Sequence, residues 1–276
     1  MQHPTQDAPT PTLRIIPVKD IHPHEVHDPQ RSEPLIQRIA KAEYLTNPII
    51  VTPAGDGKNY VVLDGANRYQ VFSRLDYPRI LAQVVDYASP HVDLHIWQHV
   101  VSHWSESNFI AELKKWEGIE VAHGWAPESE YVARLILRNG DVLSILARID
   151  TLAQRNAILR DLVSLYQKNG TLHRSAAPDP AEVWTLYPRA IALVQFPHYQ
   201  PQDILLAAQN DALLPPGVSR HIIHGRALKV NYPMADLLDE SISVEQANMV
   251  LQAWLQGKLE KRAIRYYAES TYQFDE

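Results

Sequence analysis

The sequence predicts an α+β protein built from two domains, and three observations lead there. Its 276 residues and 31.4 kDa exceed the usual size of one compact domain. Hydrophobic residues at 45% and charged residues at 21% match ordinary globular usage, which excludes disordered, collagen-like and coiled-coil architectures. Short strand-like apolar runs and stretches of helical apolar spacing both recur along the chain.

Residues 1–12 are rich in Pro and Thr, lack apolar periodicity and read as a loose arm. Order begins at LRIIPV. Between Pro34 and Tyr44, Leu35, Ile36, Ile39 and Ala42 share one helical face, and Asn47-Pro48 stops that helix before the strand IIV. AGDGKN is a turn, YVVLD a strand, and GANRYQVFSRLD a helix in which Val71, Phe72 and Leu75 repeat at helical spacing. ILAQVV is a third short strand. VDLHIW alternates like a half-buried strand and delivers Trp97 and His99 near its end. The character of the chain then changes, so a first domain spans 13–104 and a second 105–276.

In the second domain Asn108–Trp116 reads as helix, and RLILRNGDVLSIL as two strands around an Asn139-Gly140 turn of positive φ. Leu152–Tyr166 is a helix ended by Asn169-Gly170, AAPDP a surface connection, and AIALVQF a strand before the helix DILLAAQNDALL. Ser243 and Gln246 form a capping box for a helix running through Trp254, and IRYYAESTYQFDE reads as a terminal strand with an acidic end.

Composition also bounds function. A formal net charge of -6 argues against a surface built to neutralise DNA phosphates, which makes nucleic acid an unlikely partner. The absence of cysteine excludes disulfides, thiolate metal sites and thiol chemistry. No stretch reaches the roughly 18 to 20 apolar residues of a membrane helix, and the start lacks a signal peptide's regions, so no membrane partner and a cytoplasmic location are expected. Nothing in the residues specifies an oligomeric state.

The segment YVVLDGANRY ends a strand on Asp64, turns at Gly65 and opens a helix carrying Asn67 and Arg68. Free N–H groups at a helix start and a nearby Arg suit phosphate, and Asp64 suits Mg²⁺. The same residues also fit a simple helix cap and a surface ion pair. Pro23 and short spacing splay His22, His24 and His27 too far for a metal site. Glu25 is either a general base or a solvated carboxylate. Arg220, His221, His224 and Arg226 follow Pro215-Pro216-Gly217 closely, as donors to an anion or as a solvated basic patch. Trp97 and His99 are either pocket wall or core.

The order of an Ile21–Glu25 start of the form IxPHE, an amphipathic helix, LTNPIIV, a strand into LDGANR and a further helix resembles the ParB/sulfiredoxin superfamily across residues 13–104. SRHIIHGRALKVNYP and RYYAESTYQFDE resemble its free L-serine kinase branch. Sulfiredoxins carry Gly-Cys-His-Arg at the phosphate turn, ParB proteins Gly-Glu-Arg-Arg, and serine kinases Asp-Gly-His-His-Arg. Here the turn is Asp64-Gly65-Ala66-Asn67-Arg68, with Ala66 and Asn67 in place of both histidines.

The resemblance implies a ParB/sulfiredoxin-like nucleotide domain beside a second α+β domain, with the site in the cleft between them. It implies a kinase that moves the terminal phosphate of ATP or ADP, with Mg²⁺, to the hydroxyl of L-serine. Glu25 and Asp64 are then catalytic, with Asp64 also positioning the metal. Gly65, Asn67 and Arg68 hold the nucleotide phosphates, and Trp97, Arg220 and His221 bind substrate. The alternative is a ParB-like nucleotide-binding regulator without kinase activity.

Overall fold

The computed structural model describes residues 8–128, 130–177 and 179–267. The chain begins with β1 (Thr12–Pro17), a single 3-10 turn, β2 (Ile21–Pro23), α1 (Pro29–Ala40), β3 (Tyr44–Leu45), β4 (Ile49–Pro53), β5 (Tyr60–Asp64), α2 (Ala66–Arg74), β6 (Arg79–Val84) and β7 (Val92–Ile96). There follow β8 (Gln98–Ser102), α3 (Glu106–Leu113), β9 (Ile119–His123), β10 (Tyr131–Leu137), β11 (Val142–Ala147), α4 (Leu152–Asn169), β12 (Thr171–Ser175), α5 (Pro180–Leu186), β13 (Ala190–Gln195), α6 (Pro201–Gln209) and β14 (Ser219–Ile223). β15 (Tyr232–Pro233), α7 (Met234–Leu238) and α8 (Val244–Glu260) complete the described elements. The architecture is α+β, and among the described residues no helix is long and apolar enough to cross a membrane.

Two compact units divide the chain. One comprises the residues through Pro23, Asp28–Asp93 and everything from Ile222 onward; the other comprises His24–His27 and Leu94–His221. Both units are discontinuous in sequence, unlike a linear division at residues 104 and 105.

The first unit carries a five-stranded mixed sheet in the order β1-β6-β4-β5-β2, with β4 parallel to β6 and β2 parallel to β5. Its core joins Ile15, Ile49, Val62, Phe72 and Ile80 to Tyr232, Met234, Leu237 and Leu251 from the C-terminal elements. Burying each such side chain contributes about 1.5–3 kcal/mol. α8 is tied to β1 through Asn248, whose side chain accepts from the Ile15 N–H at 3.0 Å and donates to its carbonyl at 2.8 Å. These contacts are why the C-terminal segment belongs to this unit.

The second unit carries a six-stranded sheet in the order β12-β8-β13-β10-β11-β9, antiparallel throughout. α4 contributes Leu159, Leu162, Val163 and Tyr166 to its interior, and α3 contributes Phe109 and Leu113.

Several boundaries move for identifiable reasons. α1 starts at Pro29 rather than Pro34 because Asp28 caps it, accepting from the Gln30 N–H, and Pro29 needs no N–H at the first turn. It stops at Ala40, since Tyr44 and Leu45 pair with Pro233 and Tyr232 as strand. In the β10–β11 turn only Gly140 has positive φ, while Asn139 uses its side chain to accept from the Asp141 N–H. The box of Ser243 and Gln246 makes both its bonds, and α8 runs past Trp254 to Glu260. β9, β12 and α5 are additional elements. Ile264–Tyr267 form no strand; the rest of the expected terminal strand, and most of the N-terminal arm, lie outside the described residues.

Candidate active site

In the first unit, β5 delivers Asp64 to its C-terminal end because Val61, Val62 and Leu63 are buried behind it. Gly65 then adopts φ 95°, the left-handed region that favours glycine, and a Cβ there would lie 2.9 Å from the Ile49 methyl in the core. Gly65, not Asp64, occupies the cap position of α2, and no side chain caps this helix. The helix therefore begins with backbone N–H groups and the positive end of its dipole available to an anion.

Two guanidinium groups meet the Asp64 carboxylate here. Arg226 Nη1 donates to Oδ2 at 2.8 Å and Arg68 Nη2 at 3.4 Å, while Arg68 Nη1 reaches the Asn47 carbonyl at 3.3 Å. Two cations against one carboxylate leave the turn with net positive charge. All three side chains keep solvent contact, at 39% for Asp64, 32% for Arg226 and 23% for Arg68, so a ligand can reach them. Asn67 accepts the Asp28 N–H at 2.9 Å through Oδ1, which leaves its amide Nδ2 as the donor for a ligand.

Mg²⁺ has one carboxylate ligand to gain at this turn, and among the described residues no group of three or more His, Cys, Asp or Glu side chains fits a metal ion. Asp64 would offer Mg²⁺ one carboxylate ligand, which suits an ion that would be held chiefly by phosphate and water oxygens.

In the second unit, Glu25 is half-buried and fastened to the loop before β14. Glu25 pairs with Leu214 as an isolated parallel bridge, the Val26 N–H donates to the Leu214 carbonyl at 2.9 Å, and the Leu214 N–H donates to the His24 carbonyl at 2.9 Å. The Gly217 N–H donates to Glu25 Oε2 at 3.0 Å. His24, almost fully buried, shares a 2.6 Å hydrogen bond with the Ser219 hydroxyl, and the buried His221 ring packs edge-on against it at 5.5 Å. Trp97 lies flat under Arg220, whose guanidinium carbon sits 4.5 Å from the ring centroid. The stacking leaves the guanidinium edge with donors for a carboxylate.

The basic run after Pro215-Pro216 is therefore no solvated patch. Arg220 and His221 belong to the second unit with Glu25; Arg226 binds Asp64 in the first, where His224 pairs with Asp93 at 3.1 Å. His99 is not pocket wall but core, wholly buried in β8, its pKa lowered to about 3 by desolvation and by the charge of Arg174 against a raising hydrogen bond to Gly217. Sequence reasoning missed Arg226 as a partner of Asp64, Gly217 as a partner of Glu25, and the capping role of Asp28. The Pro-Pro-Gly signature marked the Gly217 loop, and Asp28-Pro29 is a recognisable helix start.

No protein-family model matches the chain. It is 27% identical over 267 residues to the ATP-dependent L-serine kinase SbnI of Staphylococcus aureus, covering 94% of this chain and 96% of that one. A shorter match, 25% over 129 residues, covers 46% of the chain and 52% of the ADP-dependent L-serine kinase SerK of Thermococcus kodakarensis. Among solved structures, C-terminally truncated SbnI superposes with a TM-score of 0.70 at 21% identity, over 91% of this chain and 97% of that one. A free serine kinase in complex with AMP does so with a TM-score of 0.69 at 18% identity, over 85% and 98%. In sequence across nearly its whole length, and in fold, this chain is similar to the free L-serine kinases.

Proposed function

We propose that the protein is a kinase of free L-serine that uses ATP or ADP. The observation that carries this reading is the Asp64–Arg68 turn, where Arg68, Arg226 and the open N-terminus of α2 make a net-positive seat for phosphates. Its place in a chain similar end to end to an ATP-dependent L-serine kinase supports the choice of substrates.

In the reaction the serine hydroxyl oxygen attacks the terminal phosphorus. An O–P bond forms, the bond from that phosphorus to the bridging oxygen breaks, and ADP leaves when ATP is the donor, AMP when ADP is. The hydroxyl proton passes to the Glu25 carboxylate, which the Gly217 N–H holds by Oε2. Arg68, Asn67 and the Gly65 turn hold the phosphate oxygens as charge spreads over them. Arg220, stacked on Trp97, and His221 take the serine carboxylate or the product phosphate. Mg²⁺ supplies charge neutralisation of the phosphates when bound, with Asp64 as its protein ligand. Ala66 offers no side-chain donor, so Asn67 and Arg68 supply the side-chain contacts of this turn.

The test offers purified protein L-serine and Mg²⁺ with ATP, ADP or CTP in separate reactions and measures O-phosphoserine. Product with ATP or ADP is expected. No product with any donor, together with salt-resistant, CTP-dependent binding of duplex DNA, would replace the kinase by the regulator.

A further inference from the structure

Glu25 sits at the end of a chain of hydrogen bonds that starts deep in the second unit. The Tyr166 hydroxyl on α4 lies 2.5 Å from His99 Nδ1, His99 Nε2 lies 2.7 Å from the Gly217 carbonyl oxygen, and the Gly217 N–H reaches Glu25 Oε2. The carbonyl oxygen can only accept, so Nε2 carries the proton and Nδ1 accepts from Tyr166. Both rings are fully buried, and Phe196 packs against His99 with centroids 4.9 Å apart. Burial holds His99 neutral, so this donor and acceptor pattern persists across the working pH range.

Gly217 is fixed as tightly as its neighbours. Its φ is 71°, in the left-handed region that favours glycine, and a Cβ would fall 1.9 Å from Arg174 Nε, so a side chain there would strain the backbone and displace Arg174. α4 secures the preceding residues too: Asn156 donates to the Ala212 carbonyl at 2.6 Å and Arg160 donates to that of Leu213. The loop that grips Glu25 is thus bolted to the inward face of α4, through the buried Asn156 and the partly buried Arg160.

We propose that Tyr166, His99 and Gly217 are positioning residues that aim the Glu25 carboxylate at the reacting hydroxyl. The proposal rests on the serine kinase reading. In that reading none of the three takes part in the chemistry; they act by fixing Glu25 Oε2, and hence the plane of its carboxylate, since a general base works only within a narrow geometry.

The test compares His99→Leu, His99→Gln and Tyr166→Phe by kcat, by KM for serine and nucleotide, and by nucleotide binding at equilibrium. His99→Leu is expected to lower kcat about tenfold or more while both KM values stay within about twofold. His99→Gln keeps a donor to the Gly217 carbonyl and recovers most of the loss; Tyr166→Phe loses only a hydroxyl and falls several-fold. In a Glu25→Gln background the His99→Leu change should cost nothing further, a non-additivity that general destabilisation would not produce. Unchanged kcat in His99→Leu and Tyr166→Phe, or an equal loss with and without Glu25, overturns the relay. Should His99→Leu fail to bind nucleotide, Tyr166→Phe decides alone. Wild-type protein that makes no phosphoserine from any donor overturns the kinase reading and the relay with it, before any variant is made.

Discussion

The turn at Asp64 and the anchor of Glu25 are built on opposite principles. At Asp64 the partners are charged side chains in partial contact with solvent, held by ion pairs of 2.8 and 3.4 Å to long, flexible arginines. Exposed pairs of this kind contribute little to stability, so they exchange partners readily. At Glu25 the partner is a backbone N–H on a loop locked by wholly buried groups. A group that takes and releases phosphates needs donors that can turn to each oxygen as charge moves, whereas a base needs one fixed aim. Under the proposed reading the two regions differ as those tasks differ.

The comparison breaks most visibly at Glu25. Glu25→Gln keeps shape and hydrogen bonding but loses the proton acceptor, so kcat should fall about a hundredfold or more with nucleotide affinity unchanged. Steady-state phosphoserine kinetics beside equilibrium nucleotide binding measure both, and unchanged turnover removes Glu25 from the chemistry.

Arg226→Ala should act the other way. Removing one of the two guanidinium groups at Asp64 takes away the turn's net positive charge, and KM for the nucleotide should rise about tenfold while KM for serine holds. Parallel rises in both constants would mean that the turn is structural rather than a phosphate seat. Arg220→Ala should raise KM for serine several-fold and leave the nucleotide constant alone, because its proposed contact is to one substrate only. Equal effects on both constants would place Arg220 outside the serine site.

The last effect is one of pH, and it bears on stability rather than on turnover. His99 protonates near the ordinary histidine value of 6.5 when unfolded but only at about 3 in the fold, where burial disfavours its charged form and it faces the Tyr166 hydroxyl, the Gly217 carbonyl and the charge of Arg174. Between those values the unfolded chain binds more protons, so this contribution to stability is complete above 6.5 and is lost as pH falls toward 3. The slope is at most about 1.4 kcal/mol per pH unit for one proton. Denaturant midpoints from pH 7 to 4 should show a shallower acid limb in His99→Gln than in wild type; identical limbs would remove His99 from the acid response.

Much of this was legible along the chain. The strand–glycine–helix junction at Asp64 follows from a buried apolar run, a residue that tolerates positive φ and helical spacing after it, all within about a dozen residues. The capping box at Ser243 was readable for the same reason: its two hydrogen bonds join residues three apart. β9, β12 and α5 were not. They are short and only partly buried, so they show little periodicity of their own, and β9 and β12 are defined by their pairing with β11 and β8.

What the chain determined by itself is therefore local: most element types, the capping box at Ser243, the turn at Gly65, the absence of thiol chemistry and the identity of Glu25 and Asp64 as candidates. Only the tertiary structure decided their partners. Arg226 comes to Asp64 from 162 positions away, and Gly217 to Glu25 from 192. Nearby residues mark the Gly217 loop but neither pairing, because the partners meet only when a C-terminal segment packs onto an N-terminal sheet in one unit and the inward face of α4 fixes a distant loop in the other.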